Sequence, residues 1–211
     1  MEAVLDLYEE PDDPDRPRVC LDEYPLALTA PTRAPVPLAA GRVRREDYEY
    51  RRGGSCSLFA AYHPAGGWRT IQARERRTAQ DFAWFVKELV DVHFPTATVI
   101  RLVLDNLNTH TLGALYETFP PEEARRIARR IEFNFTPVHG SWLNMVEGEW
   151  AILARQCLGR HLVDMATAQQ EIDAWVRDRN AARATTNWQF TSSQAREKLE
   201  RIYPVTAPLT E

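Results

Sequence analysis

Two aspartates in this 211-residue chain stand directly after apolar runs. Asp22 follows Val19-Cys20-Leu21, and Asp105 follows a run from Val99 to Leu104. Runs of this kind read as buried strands. If the two strands are parallel neighbours, both carboxylates emerge at one sheet edge, where open α/β sheets carry their ligand sites. Carboxylates held close together repel and raise one another's pKa unless a cation neutralises them. Hard divalent ions such as Mg2+ or Mn2+ prefer such oxygen donors, keep several waters and accept phosphate oxygens as further ligands. A third acid from a neighbouring helix would complete a site for two ions, one activating an attacking oxygen and the other stabilising the leaving one. The plainer reading of either aspartate alone is a turn or a helix cap.

Two residues compete for the third place. Glu147 and Glu149 both fall on a helix expected over Leu143–Leu158. Glu149 has Met145, Val146, Ile152 and Leu153 at helical spacing, and Glu147 has Leu143, Trp150, Ala151 and Ala154. Both faces are apolar enough to make an unpaired carboxylate costly, so at least one of the two needs a partner. Spacing alone does not select which. His63 and His93 read as turn or surface residues.

The elements that must position these acids can be read along the chain. A short helix is expected over Glu2–Glu10, ended by the proline-rich run 11–17. The strand at 19–21 follows, then a long Pro-, Arg- and Gly-rich loop over 25–52 with room for a short strand, and an antiparallel meander of Ser55–Tyr62 and Trp68–Ala73. Thr78 and Asp81 have the spacing of a capping box ahead of Phe82, Phe85, Val86, Leu89 and Val90. A strand over 98–104 comes next, then helices at 111–119 and 121–130 and a strand at Ile131–Phe135. The helix containing Glu147 is expected to be capped by Ser141, and a last helix to run from Thr167 to about Arg183. The order predicts an α/β fold, a mixed sheet flanked by helices.

Composition sets the class and little more. Apolar residues at 44% and charged residues at 27% describe an ordinary globular chain without a signal peptide or an apolar run of membrane-crossing length. Three scattered cysteines without a C-x-x-C pair predict neither a disulfide framework nor a zinc site, and a reducing, cytoplasmic setting. The net charge of −4 points away from a protein that grips nucleic acid by phosphate neutralisation alone. Arginines do cluster, at 42–52, 74–77 and 125–130, but such clusters are read first as solvated surface.

Three segments carry a family resemblance. They are Val-Cys-Leu-Asp22-Glu23, Leu-Val-Leu-Asp105-Asn106-Leu-Asn108-Thr109-His110, and Thr136-Pro-Val-His139-Gly-Ser-Trp-Leu-Asn144-Met-Val-Glu147. In order and spacing they resemble the acidic motifs of mariner-type bacterial insertion-sequence transposases, members of the DDE superfamily. The likeness extends to Ser57–Ala61 and to the stretch from Asn187 to Leu199.

The resemblance implies a ribonuclease H-like five-stranded sheet over residues 17–204, with a lead-in at 1–16 and a tail at 205–211. It makes Asp22, Asp105 and Glu147 the catalytic acids and metal ligands, with two Mg2+ or Mn2+ ions. Asn106, His110, His139 and Asn144 would support the ligands or contact DNA, Glu149 would be structural, and Glu23 is not expected to be a ligand. The implied activity is DNA strand cleavage and strand transfer by a bacterial, cytoplasmic enzyme working as a homodimer on transposon ends and target DNA. Full-length members carry N-terminal helix-turn-helix segments, expected here to be encoded separately or lost. The alternative is a catalytically silent, transposase-derived module that binds DNA or partner subunits.

Overall fold

The computed structural model describes residues 1–33, 41 and 49–202. Arg42, Arg44 and Arg45 of the first arginine cluster and the tail at 205–211 lie outside the described residues. Five strands, β1 (Arg18–Pro31), β2 (Tyr50–His63), β3 (Trp68–Arg74), β4 (Ile100–Leu104) and β5 (Ile131–Phe135), form one sheet in the order β3-β2-β1-β4-β5. β1, β4 and β5 run parallel, while β2 is antiparallel to both β1 and β3. This mixed sheet between two helical layers is the ribonuclease H-like arrangement.

Alternation along the strands divides the interior into two cores. Cys20 and Val103 face a core that includes Leu143, Val146, Trp150 and Leu153. Val19, Leu21, Leu102 and Leu104 face the opposite core, built on Phe82, Phe85, Val86 and Leu115. The first is covered by α1 (Glu2–Glu9), α5 (Val146–Leu153), α6 (Met165–Ala181) and α7 (Ser192–Lys198). The second is covered by α2 (Ala79–Glu88), α3 (Leu112–Thr118) and α4 (Pro121–Ala128). Every residue of β4 is buried, as befits a central strand covered on both faces. The expected capping box is present, with Thr78 and Asp81 satisfying one another's backbone N–H groups.

Four expectations of local structure are corrected. β1 does not end at Asp22-Glu23 but continues to Pro31, pairing with β2 as far as Tyr50, so residues 25–31 and 50–52 of the expected loop are strand. Its prolines are tolerated because β4 pairs only with Arg18–Cys20; beyond them β1 has β2 as its one strand neighbour among the described residues. Residues 2–9 are not merely a lead-in, since Val4, Leu5, Leu7 and Tyr8 are buried in the first core. Ser141 does not cap the Glu147 helix: Ser141–Leu143 forms a 3-10 turn, and α5 starts at Val146 without a side-chain cap. Asp164, not Thr167, caps α6 by accepting the Thr167 N–H at 2.7 Å, and α7 is a further helix beyond it. Among the described residues no helix is long and apolar enough to cross a membrane.

Candidate active site

The parallel pairing of β1 and β4 sets the site. Cys20 lies opposite Val103, so two residues further along each chain come Asp22 and Asp105. Both alternate onto the face covered by α5, the helix that carries Glu147. Asp22, Asp105 and Glu147 line one cavity of about 160 Å3 together with Glu23, Thr136, Ser141 and Asn144. Thr136 follows β5 as Asp105 follows β4, and its N–H donates to the Leu104 carbonyl at 2.9 Å. Of the expected supporting residues, Asn144 lines the cavity and His110 is buried beside it. Asn106 and His139 are exposed and are not among the lining residues.

The electrostatics of the cavity are one-sided. Among the described residues no lysine or arginine lines it. Burial pushes the Asp22 carboxyl up to about 7, helped by the charges of Glu147, Asp105 and Glu23 and opposed by a hydrogen bond from the Glu23 backbone. Burial also raises Glu147, and the Asp105 charge adds to it.

His110 joins the two acidic strands. Its Nε2 lies 2.9 Å from Glu23 Oε1, and its Nδ1 lies 2.7 Å from Asp105 Oδ1 and 3.1 Å from the Asp105 carbonyl oxygen. The ring packs on Phe82, 4.7 Å between centres. Burial disfavours the imidazolium, but the hydrogen bond and charge of Glu23, with Asp105 behind them, outweigh it and raise the His110 pKa. Nδ1 thus faces both the Asp105 carbonyl and its Oδ1 and holds that carboxylate in place.

Asn144 ties the third acid to the first. Its Nδ2 donates to the Leu21 carbonyl at 2.8 Å, the residue before Asp22, while the Glu147 N–H donates to the Asn144 carbonyl at 3.0 Å. The Tyr8 hydroxyl donates to the Leu143 carbonyl at 2.7 Å, fastening the same turn from α1. Glu149, two residues beyond Glu147, faces away from the cavity and into a buried cluster. Arg69 Nε stands 2.9 Å from its Oε2, and Arg179 reaches both its oxygens at 2.7 and 3.2 Å.

A set of oxygen donors with four carboxylates and, among the described residues, no lysine or arginine fits a hard divalent ion. The three acids share a cavity rather than a closed shell: among the described residues no three acidic, histidine or cysteine side chains are gathered at ion-holding distance. Glu23 is the residue that pattern reasoning undervalued. Its signal was its place beside Asp22, combined with a histidine five residues after Asp105, but only the fold brings the two together.

The model of a family described as DDE superfamily endonuclease matches residues 17–168, from the start of β1 into α6. No curated protein matches the chain.

Proposed function

This chain belongs to the DDE superfamily endonucleases, and on that premise we propose that it is the catalytic domain of a mariner-type bacterial insertion-sequence transposase. The family makes DNA its substrate and divalent ions its general cofactor. We assign Asp22, Asp105 and Glu147 as the ligands of two Mg2+ or Mn2+ ions, for strand cleavage followed by strand transfer. The observation that carries this reading is the convergence of those three acids on one cavity that no described lysine or arginine lines.

The acids of the cavity and their partners then have distinct tasks. Asp22 and Asp105, projecting from equivalent positions of adjacent parallel strands, hold the ions at the sheet edge. Glu147 closes the site from the helical layer, at a position fixed by Asn144. His110 orients Asp105 and is itself held by Glu23, as outer partners of metal ligands commonly are. When bound, the ions neutralise the crowded carboxylates, stabilise charge developing on a phosphodiester and make water a competent nucleophile. Recognition of the element ends would rest with helix-turn-helix segments, and pairing of the ends with a homodimer.

The test is nicking of plasmid DNA in Mn2+ or Mg2+. Asp105→Asn is expected to reduce it on the order of a thousandfold while the circular dichroism spectrum stays unchanged. Equal nicking by wild type and variant overturns the assignment. A wild type that never nicks, yet binds DNA, points instead to the silent module.

A further inference from the structure

The acidic cavity has an aromatic neighbour. Trp142 sits one residue from Ser141 and two from Asn144, both of which line the cavity, and its side chain is 47% exposed. Its indole lies nearly parallel to that of Trp188, with 18° between the planes and 6.3 Å between centres. It also meets Phe190 at 5.7 Å and 64°. Trp188 is itself held, donating from Nε1 to the Phe190 carbonyl at 2.6 Å and packing on Tyr8 at 5.1 Å. The ammonium of Lys198, an exposed residue of α7, lies 5.8 Å from the centre of the Phe190 ring. Trp188, Phe190 and Lys198 all fall beyond the span that the family model matches.

A single exposed tryptophan needs no explanation. One braced by two further rings, one of which faces a cation, and next in the chain to a residue that lines a reaction cavity, does. A cavity of carboxylates attracts no phosphate by itself, so affinity for a DNA strand has to come from contacts outside it. An aromatic face supplies such affinity whatever the base. A ring already fixed by its neighbours loses little freedom on binding. Inside a duplex both faces of every base are covered, so only an unpaired or extruded nucleotide can use such a face.

We propose that Trp142, backed by Trp188 and Phe190 and with Lys198 as a phosphate partner, is the stacking platform for an unpaired nucleobase of the strand whose phosphodiester enters the acidic cavity. The preferred substrate is then a frayed or single-stranded DNA end over intact duplex. The inference rests on the reading of the cavity as the place where DNA is cut.

The probe is a short oligothymidylate carrying one 2-aminopurine, titrated in Ca2+ against the full chain and compared with the same strand in a duplex. The single strand is expected to bind more tightly, with 2-aminopurine emission quenched by the indole. Trp142→Leu keeps an apolar body against Trp188 but has no π face, and is expected to bind about tenfold more weakly and without the quench. Trp142→Phe is expected to restore most of both, and Lys198→Ala to reduce the slope of log affinity against log salt by roughly 0.7. Equal affinity and quench in wild type and Trp142→Leu, or tighter binding of duplex, or no binding of either DNA, overturns the platform. Nicking read in parallel separates the two readings. A wild type that nicks while Trp142→Leu binds unchanged removes the platform alone. A wild type that stacks the base but never nicks removes the catalytic assignment alone.

Discussion

Glu147 and Glu149 lie two residues apart on one helix and have opposite surroundings. Glu149 is 4% exposed and lies between the guanidinium groups of Arg69 and Arg179, in a cluster that fastens α5 to β3 and α6. Glu147 is exposed to a cavity with three more carboxylates and, among the described residues, no lysine or arginine. One carboxylate has its charge balanced by the fold; the other is left for something the chain does not itself supply. The difference separates a carboxylate that builds the structure from one that is kept for chemistry.

The comparison is open to direct attack. The largest effect is expected from Glu149→Ala, which leaves two buried or half-buried guanidinium groups without their partner and should cost about 3–5 kcal/mol in urea unfolding. Glu147→Gln, by contrast, should leave stability unchanged or raise it in metal-free buffer. A destabilised Glu147→Gln as severe as Glu149→Ala would erase the distinction.

The pH dependence should follow the same division. With its folded pKa raised to about 7 from an ordinary value near 4, Asp22 binds more protons in the folded than in the unfolded state between those two values. Its contribution therefore turns progressively unfavourable as pH rises from about 4 to about 7, by at most about 4 kcal/mol. Asp22→Asn should accordingly melt higher than wild type above pH 7, with the gain disappearing near pH 4. A gain that is independent of pH would mean that Asp22 is not held in an unfavourable charged state.

Divalent ions should supply what the cavity lacks. Mn2+ at a hundred times its dissociation constant should stabilise the wild type by about 2.7 kcal/mol, and by much less in Asp22→Asn. The ions compete with protons, so that gain should shrink as pH falls through 7. Identical melting shifts in both proteins would place the ion elsewhere. The smallest effect is expected from His110→Gln, whose side chain can reach Glu23 or Asp105 but not both. Mn2+ affinity, read by the same melting titration, should fall about ten- to a hundredfold with little loss of stability in the metal-free protein.

Several features of this site were legible along the chain. The apolar runs ahead of Asp22 and Asp105 marked two strands, and the Thr78–Asp81 spacing marked a helix start, because strand burial and capping are local properties that a few consecutive residues express. The resemblance of three motifs selected Glu147 from the pair on its helix, which periodicity could not do, since both glutamates had apolar neighbours. The extent of β1 was hidden by prolines that are harmless where a strand has a second strand on one side alone, and that position in the sheet exists only once the sheet has formed. Ser141 was misread as a cap because the turn before α5 is shaped by Asn144 reaching across to Leu21.

By itself the sequence determined which residues can be strands and helices and which acids stand at their ends, since those are matters of local pattern. Tertiary structure alone decided that Asp22 and Asp105 share a parallel register, that Glu149 rather than Glu147 takes the buried arginines, and that Glu23 and His110 meet. Charge compensation inside a protein acts over a few ångströms in space, and partners from distant strands and helices leave no periodicity in the chain for a reader to find.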